Sequence, residues 1–155
     1  MPVHLTLADV RQSLNAHVAV KGREIQLKYG PSIGWAELAR LLEDRECVRY
    51  PCGIEFDAGP LQSGEFAYPA PRSDRPEDGF TIYVHPAFCG RLHQVPALVL
   101  YQLVAVNYGE FASAEDAETF GATALGMEPE EYYLLLCELT DSIAVGPSSC
   151  PAGGC

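Results

Sequence analysis

The run from Val95 to Val106 constrains this chain more than any other, because Leu98, Val99, Leu100, Leu103 and Val104 crowd around one strongly polar residue, Gln102. Pro96 stands where the first turn of a helix accepts a residue without a backbone N–H. A helix with apolar residues around most of its circumference cannot lie on a surface, so the spacing predicts a central helix covered on all sides. The run is also well short of the roughly 20 residues that cross a bilayer. It therefore belongs to the core of a globular domain. At 155 residues, 48% of them hydrophobic, the chain is sized for one such core.

The segments on either side indicate what covers the helix. Phe80-Thr81-Ile82-Tyr83-Val84-His85 is rich in β-branched and aromatic residues and reads as a strand that ends where Pro86 removes a donor. Ser113-Ala114-Glu115-Asp116 has the form of a capping box and opens a helix toward Leu125, and Glu128-Pro129 opens another through about Ile143. Upstream, Thr6-Leu7-Ala8-Asp9 is a further capping box, with a helix expected through about Ala16. From His17 to Tyr29, Val18, Val20, Ile25, Leu27 and Tyr29 alternate around Lys21-Gly22, which predicts a hairpin. Trp35, Leu38, Leu41 and Leu42 mark a helix ending near Asp44, with Trp35 as a core anchor. Short strands are expected at 48–50, 54–56 and 65–68, and the three prolines of 69–79 predict an exposed loop. The fold class is α+β: a small sheet packed on C-terminal helices. Residues 1–145 are expected to form the domain, and 146–155, with no large apolar side chain, a mobile tail.

Charge excludes several partners. Ten Lys and Arg oppose 21 Asp and Glu, for a formal net charge of −11, which repels nucleic acid phosphates and anionic membranes. All ten basic residues lie before residue 92, so the C-terminal part is a negative field. The first residues lack the cationic start and apolar stretch of a signal peptide, and a cytoplasmic protein is expected. Six cysteines, at 47, 52, 89, 137, 150 and 155, are then expected as reduced thiols. The wide spacing of Cys47 with Cys52, and of Cys150 with Cys155, departs from a zinc knuckle. Cys137, within Leu134-Leu135-Leu136-Cys137, reads as a core residue.

A strand, a buried helix, and a second helix carrying Glu115-Asp116-Ala117-Glu118, Phe120-Gly121-Ala122, Leu125, Met127 and Pro129 stand in an order that resembles zinc peptidases of the minimal zincin type, the ImmA/IrrE-like peptidases above all. The resemblance covers roughly residues 80–133. It implies a zincin-like core in which an HExxH helix supplies two zinc ligands and a general base, and a later acid supplies the third ligand. Aligned on the buried helix, the HExxH positions hold Tyr101, Gln102 and Ala105, and the acid falls on Ala114. None of these can take the family's role: alanine has no donor atom, Gln102 is no carboxylate, and a neutral Tyr101 is a poor substitute for imidazole. The resemblance thus implies a metallopeptidase-like domain without its metal, with no cofactor.

The leading expectation is a non-catalytic regulatory domain that binds a protein or peptide, with a basic surface suited to the charge. Its cleft, at the former HExxH position, would be lined by Tyr101, Gln102, Ala105, Asn107 and Tyr108. The alternative is an enzyme. His85, Cys89 and His93 recur every four residues and offer ligands for a relocated zinc in a metal-dependent hydrolase, or Cys89 with a neighbouring histidine offers a thiol nucleophile. Against a shared helical face, Pro86 and Gly90 interrupt that stretch. Glu115, Asp116 and Glu118 read as first-turn acids favoured by the helix dipole rather than as an acid–base pair.

Overall fold

The structure, a computed structural model, describes residues 6–145. The expected tail at 146–155 lies outside the described residues. Five α-helices and a three-stranded mixed sheet make an α+β fold: α1 (Leu7–Tyr29), α2 (Trp35–Leu42), β1 (Cys52–Phe56), β2 (Ala67–Pro71), β3 (Phe80–Val84), α3 (Val95–Tyr108), α4 (Ala114–Leu125) and α5 (Pro129–Val145). No helix among the described residues is long and apolar enough to cross a membrane.

The capping box at Thr6 forms as the sequence indicates. Thr6 Oγ1 accepts from the Asp9 N–H at 3.1 Å, and Asp9 Oδ2 accepts from the Thr6 N–H at 3.0 Å. The helix it opens continues to Tyr29, however, and the hairpin expected at 17–29 does not form. Val18, Gly22 and Ile25 are the residues that α1 buries, spaced as one face of a helix. Val20 and Leu27, which completed the apparent alternation, are 57% and 78% exposed. Gly22 is a close-packing residue rather than a turn. A Cβ built on it would lie 2.7 Å from the Phe120 carbonyl oxygen and 2.9 Å from Thr123 Cβ of α4. Further along the same contact, Asn15 Nδ2 donates to Asp116 Oδ1 at 3.0 Å and to Thr119 Oγ1 at 3.1 Å.

α2 buries Leu38, Leu41 and Leu42. Trp35 is not the expected core anchor: it is 38% exposed and stacks on Phe56 at 6.2 Å between centroids. The connection after α2 is tied to the end of α1 through Asp44, whose Oδ2 accepts from Lys28 Nζ at 2.5 Å and from the Tyr29 hydroxyl at 2.7 Å. These two donors hold the Asp44 carboxyl well below the usual carboxylate range.

The sheet has the order β1-β3-β2, with β1 parallel and β2 antiparallel to β3. β3 takes the centre because its β-branched and aromatic residues suit a strand paired on both sides. β2 departs from expectation: Pro69 and Pro71, assigned to a loop by their type, pair with Ile82 and Phe80. They are tolerated because this is an edge strand. The first expected strand, 48–50, forms no strand, and the second begins earlier, at Cys52.

α3 is the central helix. It buries Val95 to Leu100, Leu103, Val104 and Val106 and packs against β2, β3 and α4. Ser113 caps α4, with its Oγ accepting from the Asp116 N–H at 3.2 Å. Gly126, at φ 71°, ends α4 in the left-handed region, where glycine carries no steric penalty. α5 then returns across α4. Tyr132, fully buried, reaches past Gly121 to donate its hydroxyl to the Ala97 carbonyl of α3 at 2.5 Å.

Candidate functional site

The five residues expected to line one cleft do not lie in one place. Tyr101, Gln102 and Ala105 of α3 face a shallow concavity of about 190 Å³ whose opposite wall includes Ser113, Ala114 and Ala117. Ala114 thus lies across from Tyr101, Gln102 and Ala105. Gln102 makes no side-chain hydrogen bond among the described residues, and Ala105 and Ala114 are exposed. The walls therefore carry the Tyr101 ring and the Gln102 amide among mostly small side chains.

Tyr101 and Ala114 also border a larger groove of about 350 Å³ that runs between the start of β2, α4 and α5. Its apolar walls are Phe66, Tyr133 and Leu136, and its carboxylates are Glu118 and Asp141. Phe66 meets the Tyr101 ring edge-on at 5.8 Å. Burial, and after it the negative charge of Glu118, pushes the Tyr101 hydroxyl up, so it stays protonated. Burial also raises the Glu118 carboxyl, with Glu115 adding to the shift. Thr140 and Asp141 carry the groove on into a third concavity of about 500 Å³, where His85, Gln62 and Glu65 form the far side. The second and third concavities thus adjoin along α5, with Tyr133, 50% exposed, in the wall of the second.

Asn107 and Tyr108 lie elsewhere, which corrects the single cleft expected from the sequence. Tyr108 follows Tyr101 by seven residues, so it sits about 10 Å further along α3. There its ring meets His17 of α1 edge-on at 5.5 Å. Asn107 is a structural tie. Its Oδ1 accepts from the Arg49 N–H at 2.8 Å, and its Nδ2 donates to the Cys47 carbonyl at 3.0 Å. The carbonyl and the NH2 of its side-chain amide are thus both used in holding the α2–β1 connection to the end of α3.

His85, Cys89 and His93 are not gathered. Among the described residues, no group of three or more His, Cys, Asp or Glu side chains is placed to hold a metal ion. His85 caps a short 3-10 turn, its Nδ1 accepting from the Ala87 N–H at 3.0 Å. Burial lowers its pKa, which favours the neutral ring that this bond requires. His93 lies exposed in the turn before α3. Cys89 is disulfide-bonded, so the expectation of reduced thiols fails there, and its sulfur is not a thiolate in this structure. Disulfide pairing follows from which sulfurs the fold brings within reach, which spacing along the chain does not reveal. Cys47, Cys52 and Cys137 are free thiols. Burial pushes both Cys47 and Cys52 up to about 11, which makes them poor nucleophiles.

The acids of α4 divide by role. Asp116 is 3% exposed, and its Oδ2 accepts from the Ser113 N–H at 2.9 Å while Asn15 holds its Oδ1. It is a structural cap rather than a catalytic acid. Glu118, two residues further on, is the acid that faces a ligand-sized space. Sequence reasoning missed the contribution of α5. Tyr133, Cys137 and Asp141 recur every four residues from 133, a helical stripe that announced a shared face but not what it faced. No protein-family model, curated protein or solved structure matches this chain.

Proposed function

We propose that this chain is a non-catalytic domain that binds a protein or peptide in the groove between α3, α4 and α5, on a zincin-like core that lacks its metal ligands. The observation that carries this reading is the placement of Tyr101, Gln102, Ala105 and Ala114 around one concavity that shares Tyr101 and Ala114 with the groove. Four positions assigned to one vanished site by alignment are neighbours in space, although Ala114 comes from a different helix. The groove's aromatic walls suit apolar side chains, while Glu118 and Asp141 suit a lysine or arginine among them. Charge on the rest of the molecule steers a basic partner toward it.

Titration of the labelled full chain with a capped Arg-Phe-Lys-Leu-Arg peptide, followed by NMR, tests the binding. The expected result is a set of amide shift changes centred on Tyr101, Ala114, Glu118 and Cys137, weakening as salt is added. Glu118→Lys should reduce affinity by about tenfold, a loss of roughly 1.4 kcal/mol. Equal affinity for the acidic counterpart, or changes confined to another face, would overturn the reading. Because Glu118 keeps its proton to a higher pH than an ordinary glutamate, affinity for the cationic peptide should rise with pH as that proton is lost.

The zincin-like register has its own test. Tyr101→His, Gln102→Glu, Ala105→His and Ala114→Glu together are expected to create a site binding about one zinc per chain, with one open position. None of the four positions is fully buried, so the variant should keep a cooperative unfolding transition. If the folded variant takes up no zinc in a calorimetric titration, the register is wrong.

A further inference from the structure

The two edges of the sheet differ in a way that assigns one of them a second role. On β2, the bonds from His85 N–H to the Phe66 carbonyl at 2.9 Å and from Arg72 N–H to the Gly79 carbonyl at 3.0 Å fix the ladder. In an antiparallel pair this turns residues 66, 68, 70 and 72 toward β3 and residues 67, 69 and 71 outward. Two of those three are Pro69 and Pro71, so the outer row offers three carbonyls and only the Ala67 N–H. A further strand needs donors and acceptors in alternation, and this edge is closed to it.

β1 is built differently. Phe80 N–H donates to the Pro51 carbonyl at 2.8 Å, and Asp57 N–H donates to the Val84 carbonyl at 3.1 Å. In the parallel register this turns residues 51, 53, 55 and 57 toward β3. Cys52, Ile54 and Phe56 therefore direct both N–H and C=O outward. None is proline, and no partner on that side is present among the described residues. Beside this edge lies a pocket of about 250 Å³, lined by Trp35, Leu38, Ala39, Leu42 and Ile54. Glu43 is the one charged residue in its wall among the described residues. Glu43 has no cationic partner among the described residues, for Arg40 pairs with Glu37 at 3.6 Å and Arg45 Nη1 donates to the Leu42, Val48 and Tyr50 carbonyls.

We propose that the outer edge of β1 docks an extended peptide segment as an added strand, with an apolar side chain in the pocket between β1 and α2 and a lysine or arginine beside it on Glu43. Backbone pairing supplies the affinity in this mode, and the pocket and the charge supply the selection. Among the described residues the site shares no lining residue with the groove along α5, so it stands or falls independently of the function proposed for that groove. Trp35, half-exposed at the pocket rim and stacked on Phe56, is a reporter for occupancy.

The test uses the full chain, labelled for NMR, and a capped Lys-Val-Leu-Val-Lys pentapeptide. The expected result is slowed hydrogen exchange at the Cys52, Ile54 and Phe56 amides together with a change in Trp35 fluorescence. The same peptide N-methylated at alternate backbone nitrogens, on the edge facing β1, should bind at least about tenfold more weakly, because its side chains are unchanged and only the pairing is lost. Ala39→Arg should weaken binding of the unmethylated peptide to a similar degree, and Glu43→Lys should weaken it while favouring a Glu-flanked version. Both residues are exposed, and unchanged thermal unfolding of each variant confirms that the fold is intact. Equal binding of the methylated peptide overturns the proposal, as do shifts confined to Tyr101, Ala114 and Glu118, which would put the peptide in the α5 groove. Protection of the same three amides without peptide, accompanied by a dimer in sedimentation, would assign the edge to a second copy of the chain and also overturn it.

Discussion

Gly121→Val is expected to lose more than about 3 kcal/mol of stability, at the upper end of what overpacking a core produces. A Cβ at Gly121 would meet the Tyr132 ring at Cε2, Cζ and the hydroxyl oxygen. That ring cannot swing aside, because it is fully buried and its hydroxyl is bonded to the Ala97 carbonyl. Only separation of α4 from α5 makes room, and that exposes the apolar surface they bury between them. In a chain of this size each kcal/mol moves the midpoint by about 2–4 °C, so thermal unfolding should drop by roughly 10 °C. The smaller Gly121→Ala combined with Tyr132→Leu should cost less than the sum of the two single changes, since the second removes what the first collides with. Strict additivity in that cycle would show that the clash is relieved by some other movement.

Gly22→Val is expected to be nearly as damaging, by about 2–3 kcal/mol, and by a different route. Its Cβ would press on the Phe120 carbonyl oxygen and Thr123 Cβ, and a backbone carbonyl within a helix has nowhere to retreat. α1 would have to lift from α4, loosening the bonds from Asn15 to Asp116 and Thr119 that lie about two turns away. Gly90→Ala is the matched control. Among the described residues nothing lies within 4 Å of a Cβ at that position, so it should change stability by less than about 0.5 kcal/mol, as surface substitutions do. Denaturant unfolding of the three chains decides the matter: a neutral Gly22→Val would mean that α1 is not docked as described.

Gly22 also shows why half of α1 was illegible. Lys21-Gly22 between alternating apolar residues carries the local signature of a hairpin, and intrinsic preference offers nothing stronger against it. A helix wins because the absence of a side chain at 22 lets Val18 and Ile25 reach α4, a gain that exists only once α4 is in place. The prolines of β2 were misjudged for a related reason. Pro69 and Pro71 argue against a strand wherever a ladder bond is needed, but the register with β3 turns their nitrogens outward, where none is needed. Tertiary partners decided both outcomes.

The sequence by itself determined the elements whose signals are local. The apolar circumference of Val95–Val106 required a covered central helix, the β-branched run from Phe80 required a strand, and Thr6 and Ser113 set helix starts through bonds to residues three positions on. The grouping of Tyr101, Gln102, Ala105 and Ala114 came from the resemblance alone and belongs to the function proposed above. Only the tertiary structure decided what surrounds them. It moved Asn107 and Tyr108 to a separate contact, because Asn107 is spent on the backbone of residues 47 and 49. It added α5 as a wall, turned Asp116 inward and Glu118 toward the groove, and left β1 rather than β2 with an open edge. Each of these depends on which surfaces far apart in the chain come to face one another, and side-chain periodicity records the facing side of an element without naming its partner.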